Sequence, residues 1–172
     1  MAATTTPDSV SIAEYLRTPY EPGADYVDGE IEERPMGQDD HSAWQQAITV
    51  WFHQHREEWQ IRARPELHIR VAPTRFRIPD VTVLDRRLPK EPIVTHPPLA
   101  VFEVLSPDDV MHRMMRKLND YAAMGIPRIW VIDPDGPRYY RFLDGSLVAA
   151  DTFGAPGEAM HFPLSAIAAL VD

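Results

Sequence analysis

Two carboxylates and one lysine are the residues of this chain whose surroundings ask for chemistry. Asp80 follows Pro79 at the head of a short β-branched run, Ile78 to Leu84. Glu103 interrupts an otherwise apolar run, Leu99-Ala100-Val101-Phe102-Glu103-Val104-Leu105. Such a run reads as a strand buried on both faces, where a carboxylate is costly unless something compensates its charge. A metal ion is one answer and a buried ion pair is another. Two carboxylates on neighbouring strands favour the metal. The chain has no cysteine, so thiolate sites and disulfides are excluded. Oxygen and imidazole donors favour a hard cation such as Mg2+ or Mn2+.

The lysine stands on the helix expected after Ser106-Pro107-Asp108-Asp109, a serine cap, an N-terminal proline and a capping-box acid. The apolar positions there are Val110, Met111, Met114, Met115, Leu118, Tyr121, Ala122 and Met124. At about 100° per residue, Lys117 falls between Tyr121 and Met124, inside the apolar face. It is either a snorkelling lysine at the rim of that face or a cation aimed at the carboxylates. Helical side chains lean toward the helix N-terminus, which here means toward the end of the Glu103 strand.

The elements that must position these residues follow from periodicity and turn chemistry. Ser11 to Arg17 reads as a short helix, and Asp28-Gly29 as a hairpin turn. Asp39 and Asp40 can cap a helix of about five turns carrying Trp44, Ala47, Ile48, Trp51, Phe52, His55 and Trp59. Strands are expected at Ile61–Val71, Ile78–Leu84, Leu99–Leu105 and Arg128–Ile132. A second hairpin turns at Asp144-Gly145, and Pro163 to Val171 closes with a helical turn or two. This order gives an α/β domain with a mixed central β-sheet flanked by helices, with added β-hairpins. At 172 residues, without repeat or linker, the expectation is one domain over 1–172. It comprises an N-terminal helix and hairpin (11–35), a core (about 39–134) and a C-terminal hairpin and helix (137–171).

The formal charge of −9 argues against a general nucleic-acid binder. It is unevenly spread. Residues 1–55 hold two basic and ten acidic residues, whereas residues 56–90 hold nine basic and five acidic. Arg62, Arg64, Arg75 and Arg77 in that basic island are the candidate nucleic-acid contacts, since the arginine fork binds two phosphate oxygens at once. The plainer reading is a solvated strand face. His41 reads as a packed histidine, sharing a helix face with Trp44 and Ile48. His53 and His55 point different ways and form no metal pair. The N-terminus has no signal-peptide pattern and no apolar run could span a bilayer, so a cytoplasmic, membrane-free protein is expected.

Taken in order, these segments resemble the Uma-two family, a bacterial branch of the PD-(D/E)xK nuclease superfamily. The matching pieces begin with Tyr26-Val27-Asp28-Gly29-Glu30, His41 and Ile78-Pro79-Asp80-Val81. They continue through Phe102-Glu103-Val104-Leu105-Ser106-Pro107, Lys117, Tyr121, Gly125 and Trp130-Val131-Ile132-Asp133-Pro134, over roughly residues 12–170. The resemblance implies a restriction-endonuclease-like core and a metal-dependent endonuclease acting on DNA. It implies Asp80 and Glu103 as Mg2+ (or Mn2+) ligands, with the Val104 backbone carbonyl helping, Lys117 as the catalytic lysine and Glu30 as an extra carboxylate. The superfamily lysine stands two residues after the glutamate, where this chain has Leu105, and Lys117 on the next helix takes its place. The family pattern also tends to an acid where Arg113 stands. As a base, Lys117 would need its pKa lowered by burial. The competing expectation is an inactive nuclease fold acting as a binding or assembly module. A third is a metal-dependent hydrolase of a smaller phosphate ester. Trp44, Trp51 and Trp59 offer more aromatic surface than one helix face needs, and cutting both strands of a duplex suits two-fold symmetry, so a homodimer is expected.

Overall fold

Six strands form the largest sheet, and one helix lies on each face of it. The computed structural model describes residues 9–172. Helix α1 (Ile12–Arg17) precedes a hairpin of β1 (Ala24–Val27) and β2 (Glu30–Glu33), and α2 spans Asp39–Gln54. Then follow β3 (Ile61–Pro65), β4 (Ile69–Ala72), β5 (Arg75–Arg77), β6 (Val81–Asp85) and β7 (Ala100–Val104). Helix α3 (Met111–Met124) leads to β8 (Ile129–Asp133), β9 (Arg138–Leu143) and β10 (Ser146–Ala149). Short β11 (Thr152–Phe153) and β12 (Phe162–Pro163) pair with each other before α4 (Ser165–Ala168).

The large sheet has the order β10-β9-β8-β7-β6-β3. Its β7 and β8 run parallel, and their crossover is α3; every other pair is antiparallel, so the sheet is mixed. Side chains alternate across it. Val81, Val83, Phe102, Val104, Trp130 and Ile132 face α2, whose Trp44, Ile48 and Phe52 are buried against them. Leu84, Val101, Ile129 and Val131 face α3, through Met114, Leu118 and Tyr121. By the same alternation Glu103 shares the α3 side with Val101. The smaller sheet, β2-β1-β5-β4, closes over α3 from beyond, bringing Ile69 and Val71 into the same core. Helix α3 therefore lies between two sheets, and residues on its buried face can meet groups from both.

Turn chemistry fixes the hairpins as expected. Asp28 and Gly29 have φ of 51° and 96°, and Asp144 and Gly145 have 48° and 77°. Two successive left-handed residues make the tight turn that matches strand twist, which Asp-Gly suits.

Several expectations need correction. The run 61–71 is not one strand. It turns at Glu66, where φ is 50°, so β3 joins the large sheet and β4 the small one. The run around Ile78 is also divided, because Ile78-Pro79-Asp80 carries the chain from β5 in the small sheet to β6 in the large one. Proline has no N–H to continue a ladder, so the break falls there. Helix α3 begins at Met111, not at Ser106, and its N-cap Val110 makes no side-chain bond. Ser106 to Asp109 close a turn on themselves, the Ser106 N–H donating to the Asp109 carboxylate at 2.6 Å. Asp39 and Asp40 lie in the first turn of α2 rather than capping it, where their charge meets the helix dipole. The tryptophans are covered by the chain itself. Trp44 is buried, and the Trp51 and Trp59 rings lie 5.1 Å and 5.5 Å from the Phe162 ring. Packing against Phe162 takes up much of the aromatic surface that suggested a dimer, with Trp51 and Trp59 half-buried.

Candidate active site

Asp80, Glu103 and Lys117 meet at one cleft, between the start of α2, the end of β7 and α3. Asp80 stands one residue before Val81, which pairs with Phe102, so its place in the antiparallel register is opposite Glu103. Its Oδ2 accepts from the Val104 backbone N–H at 2.7 Å and lies 3.2 Å from His41 Nε2. Its Oδ1 accepts from Arg34 Nη2 at 2.5 Å. The Gln45 side-chain amide donates to the Asp80 carbonyl at 3.0 Å, which fixes the backbone of the sheet crossing.

Glu103 is buried on the α3 side of β7. Its Oε1 accepts from the Tyr121 hydroxyl at 2.6 Å and lies 2.9 Å from Lys117 Nζ. Lys117 Nζ also donates to the Ile78 carbonyl at 2.9 Å and lies 3.6 Å from Asp25 Oδ2. The lysine on the apolar face of α3 is thus a buried ammonium with three oxygen neighbours, not a snorkelling one.

Burial and pairing oppose each other here. Burial alone would raise the Asp80 carboxyl, but His41 and Arg34 hold it below the usual range. Burial, helped by the Asp80 charge, outweighs the opposing pull of Lys117 and brings Glu103 up to about 7. Burial pulls Lys117 down, yet the Asp25 and Glu103 carboxylates outweigh it and raise the ammonium pKa. The lowered pKa that a base role would need is therefore not what these neighbours produce. Lys117 is held as a cation, suited to charge stabilisation rather than to accepting a proton. His41 follows the same pattern, with burial overridden by the Asp80 carboxylate, so its imidazolium is favoured.

Other sequence candidates lie elsewhere or are engaged. Glu30 is exposed at the start of β2 and does not line the cleft, whereas Asp25, Glu32 and Glu33 do. Arg77 is 1% exposed, donating through Nε to Asp120 at 2.7 Å and through Nη1 to Glu32 at 2.7 Å and Asp25 at 3.3 Å. Arg75 is held between Asp28 and Asp120. Arg62 donates to the backbone carbonyls of Arg86, Leu88 and Pro89 and braces that loop. Arg64 is exposed on β3 and donates to the carbonyl of Ala63. Neither Arg75 nor Arg77 offers a free fork to a phosphate, whereas Arg113 is exposed at the cleft mouth and has no ion-pair partner among the described residues.

Sequence reasoning missed the roles of four participants. Arg34 is one of two basic residues among the first 55, which was a usable signal. Asp25 sits in the fully buried strand Ala24–Val27, an anomaly of the same kind as Glu103. Tyr121 was counted only as an apolar residue of its helix, and His41 as packed rather than bound to Asp80.

The donor chemistry fits a hard divalent cation. The cleft encloses about 180 Å³, room for an ion with part of its water shell. Among the described residues no group of three or more His, Asp or Glu side chains is arranged as a complete metal cage. Two carboxylates and a backbone carbonyl suit an ion that keeps several waters, as Mg2+ does, rather than one needing a full set of protein ligands.

Residues 12–161 match the Uma2 family model, described as "Putative restriction endonuclease". Among solved structures, the chain is similar to a putative nuclease belonging to DUF820 from Anabaena variabilis. The two share 24% identity with a TM-score of 0.78, over 95% of this chain and 99% of that one. That likeness bears out the fold. No curated protein matches the sequence. Among the described residues no helix is long and apolar enough to cross a membrane.

Proposed function

The chain belongs to the Uma2 family, and from that membership we propose that it is a divalent-metal-dependent endonuclease acting on DNA. Asp80 and Glu103 are its metal ligands, with the Val104 carbonyl, and Lys117 is its catalytic cation. The observation that carries this reading is the 2.9 Å approach of Lys117 Nζ to Glu103 in the cleft that also holds Asp80. The lysine reaches Glu103 from a different element than the strand expected of the superfamily.

Bound there, Mg2+ or Mn2+ would supply a water acidified toward neutral pH and relief of charge on the phosphate. The chain's own residues do the rest. Lys117 Nζ, a cation anchored by the Ile78 carbonyl, orients a water and faces the negative charge that develops on the phosphate oxygens. Tyr121 fixes the Glu103 carboxylate through its hydroxyl. His41 and the Val104 N–H fix one oxygen of Asp80. Arg113 at the mouth is free to meet a backbone phosphate.

One observation favours the competing reading of a binding or assembly module. Glu33, Glu66, Asp108 and Asp109 also line the cleft, and an acidic mouth repels a polyanion unless cations screen it. Cleavage separates the two. With Mg2+ or Mn2+ the wild type should nick plasmid DNA. Asp80→Ala should lose at least about 100-fold in rate, as removal of an essential metal ligand requires. Plasmid, single-stranded DNA and RNA left intact by wild type in either metal would sink the enzyme reading. A two-fold pair of sites suits cutting both strands of a duplex, so we expect a homodimer. A monomer mass by light scattering at micromolar concentration contradicts that.

A further inference from the structure

The Asp80 carboxylate is compensated unevenly. Its Oδ2 is held by donors on regular elements, the Val104 N–H of β7 and His41 in the first turn of α2. Its Oδ1, among the described residues, is held by Arg34. Arg34 stands just beyond β2, at the head of the irregular segment 34–38. The other end of its guanidinium lies 3.5 Å from Glu66, which is exposed at the cleft mouth. The side chain thus lies across the cleft, from a buried carboxylate to an outer one. Lys117 and His41 sit on helices, whereas Arg34 sits just past the end of β2, its N–H donating to the Gly23 carbonyl at 3.3 Å before the chain leaves regular structure.

We propose that Arg34 is a displaceable counter-ion, holding Asp80 in the metal-free protein and moving onto a substrate phosphate when a divalent cation takes the carboxylate. This rests on the reading of Asp80 as a metal ligand. Two positive charges at contact with one carboxylate oxygen repel each other, so a cation entering there drives the guanidinium outward. Glu66 already draws it that way. The released fork matches two oxygens of a phosphodiester. Until then the arginine supplies the donor for Oδ1, the carboxylate oxygen that His41 and the Val104 N–H do not hold.

The test reads metal binding directly. Mn2+ affinity of the purified chain is measured by titration calorimetry without nucleic acid, for wild type, Arg34→Gln, Arg34→Lys and Asp80→Asn. Arg34→Gln should bind Mn2+ about tenfold tighter or more, since a competing charge is gone, and Arg34→Lys should bind like wild type. In EDTA, Arg34→Gln should melt below wild type, and saturating Mn2+ should close the gap. A failure to fold in EDTA that Mn2+ rescues carries the same conclusion. Failure in both conditions overturns it, as does a folded Arg34→Gln that binds Mn2+ no tighter. If Asp80→Asn binds Mn2+ as wild type does, the metal-site reading falls as well. If Asp80→Asn loses the metal and Arg34→Gln gains nothing, Arg34 alone is misassigned. The phosphate step is read by anisotropy of a labelled duplex. Arg34→Gln should match wild type in EDTA and fall about tenfold behind it in Ca2+, a cation of the same oxygen preference. No deficit in Ca2+, or an equal deficit in both, overturns the displacement.

Discussion

Replacing Arg77 with alanine is expected to destabilise the fold by about 3–5 kcal/mol, the range for removing one partner of a buried ion pair. The reason is the company it keeps. One guanidinium, 1% exposed, bonds Asp120 of α3, Glu32 of β2 and Asp25 of β1. Burial opposes its charge, but Asp25 and Asp120 outweigh that and raise its pKa, so the charge persists at every ordinary pH. Taking it away leaves the carboxylates without their shared cation and removes the buried tie between the small sheet and α3, leaving the pairs Arg75–Asp120, Arg116–Glu32 and Lys117–Asp25. A domain of ordinary stability, about 5–15 kcal/mol, loses a large share of it. Urea unfolding followed by circular dichroism measures the loss. Arg75→Ala is the contrast. Arg75 also touches Asp120, but it is 38% exposed, and solvent screening should keep its cost within about 1 kcal/mol. Equal midpoints for the Arg77→Ala and wild-type proteins would show that the buried network carries no net stability.

Arg77 also shows why parts of this molecule could not be read from its sequence. An arginine in an alternating strand reads as solvent-facing, because arginine is almost never fully buried unless paired. Its partners lie at positions 25, 32 and 120, and nothing local announces them. The same limit hid the division into two sheets. Period-two alternation says which side chains of Ile61–Val71 are buried, but not which sheet buries them. The turn at Glu66 uses a left-handed conformation for a glutamate, which no turn signal marks. What could be read was what local chemistry decides. The two Asp-Gly turns, the apolar stripe of α2 and the Gly125 end of α3 needed no distant partner. Asp80, Glu103 and Lys117 were legible for a different reason. Glu103 and Lys117 are charged residues where the pattern demands apolar ones, and Asp80 heads a β-branched run beside them. Arg34 escaped because it stands in a segment with no period to violate.

Replacing Lys117 with methionine should cut the cleavage rate by orders of magnitude while sparing the metal. Methionine has nearly the length of lysine, and Met114, Leu118 and Tyr121 already surround the site with apolar surface. What is lost is the ammonium 2.9 Å from both Glu103 Oε1 and the Ile78 carbonyl. The Ile78 carbonyl and Asp25 lose a partner, so the metal-free variant should melt below wild type. The loss is bounded. Glu103 keeps the Tyr121 hydroxyl at 2.6 Å, and burial already favours its protonated form, so it can take a proton instead of remaining an unpaired charge. Metal binding should hold or tighten, because a positive charge has left the neighbourhood of the ligands. The rate should fall by about 100- to 1000-fold, the range for removing one preorganised charge that faces a transition state. Glu103→Gln should behave differently, losing metal affinity and cleavage together. The pair of variants therefore separates holding the ion from stabilising the reacting phosphate. Full cleavage by a folded Lys117→Met would remove the lysine from the mechanism. Arg116 could not replace it, being paired with Glu32, and the role would pass to Arg113, which lines the same cleft and is exposed.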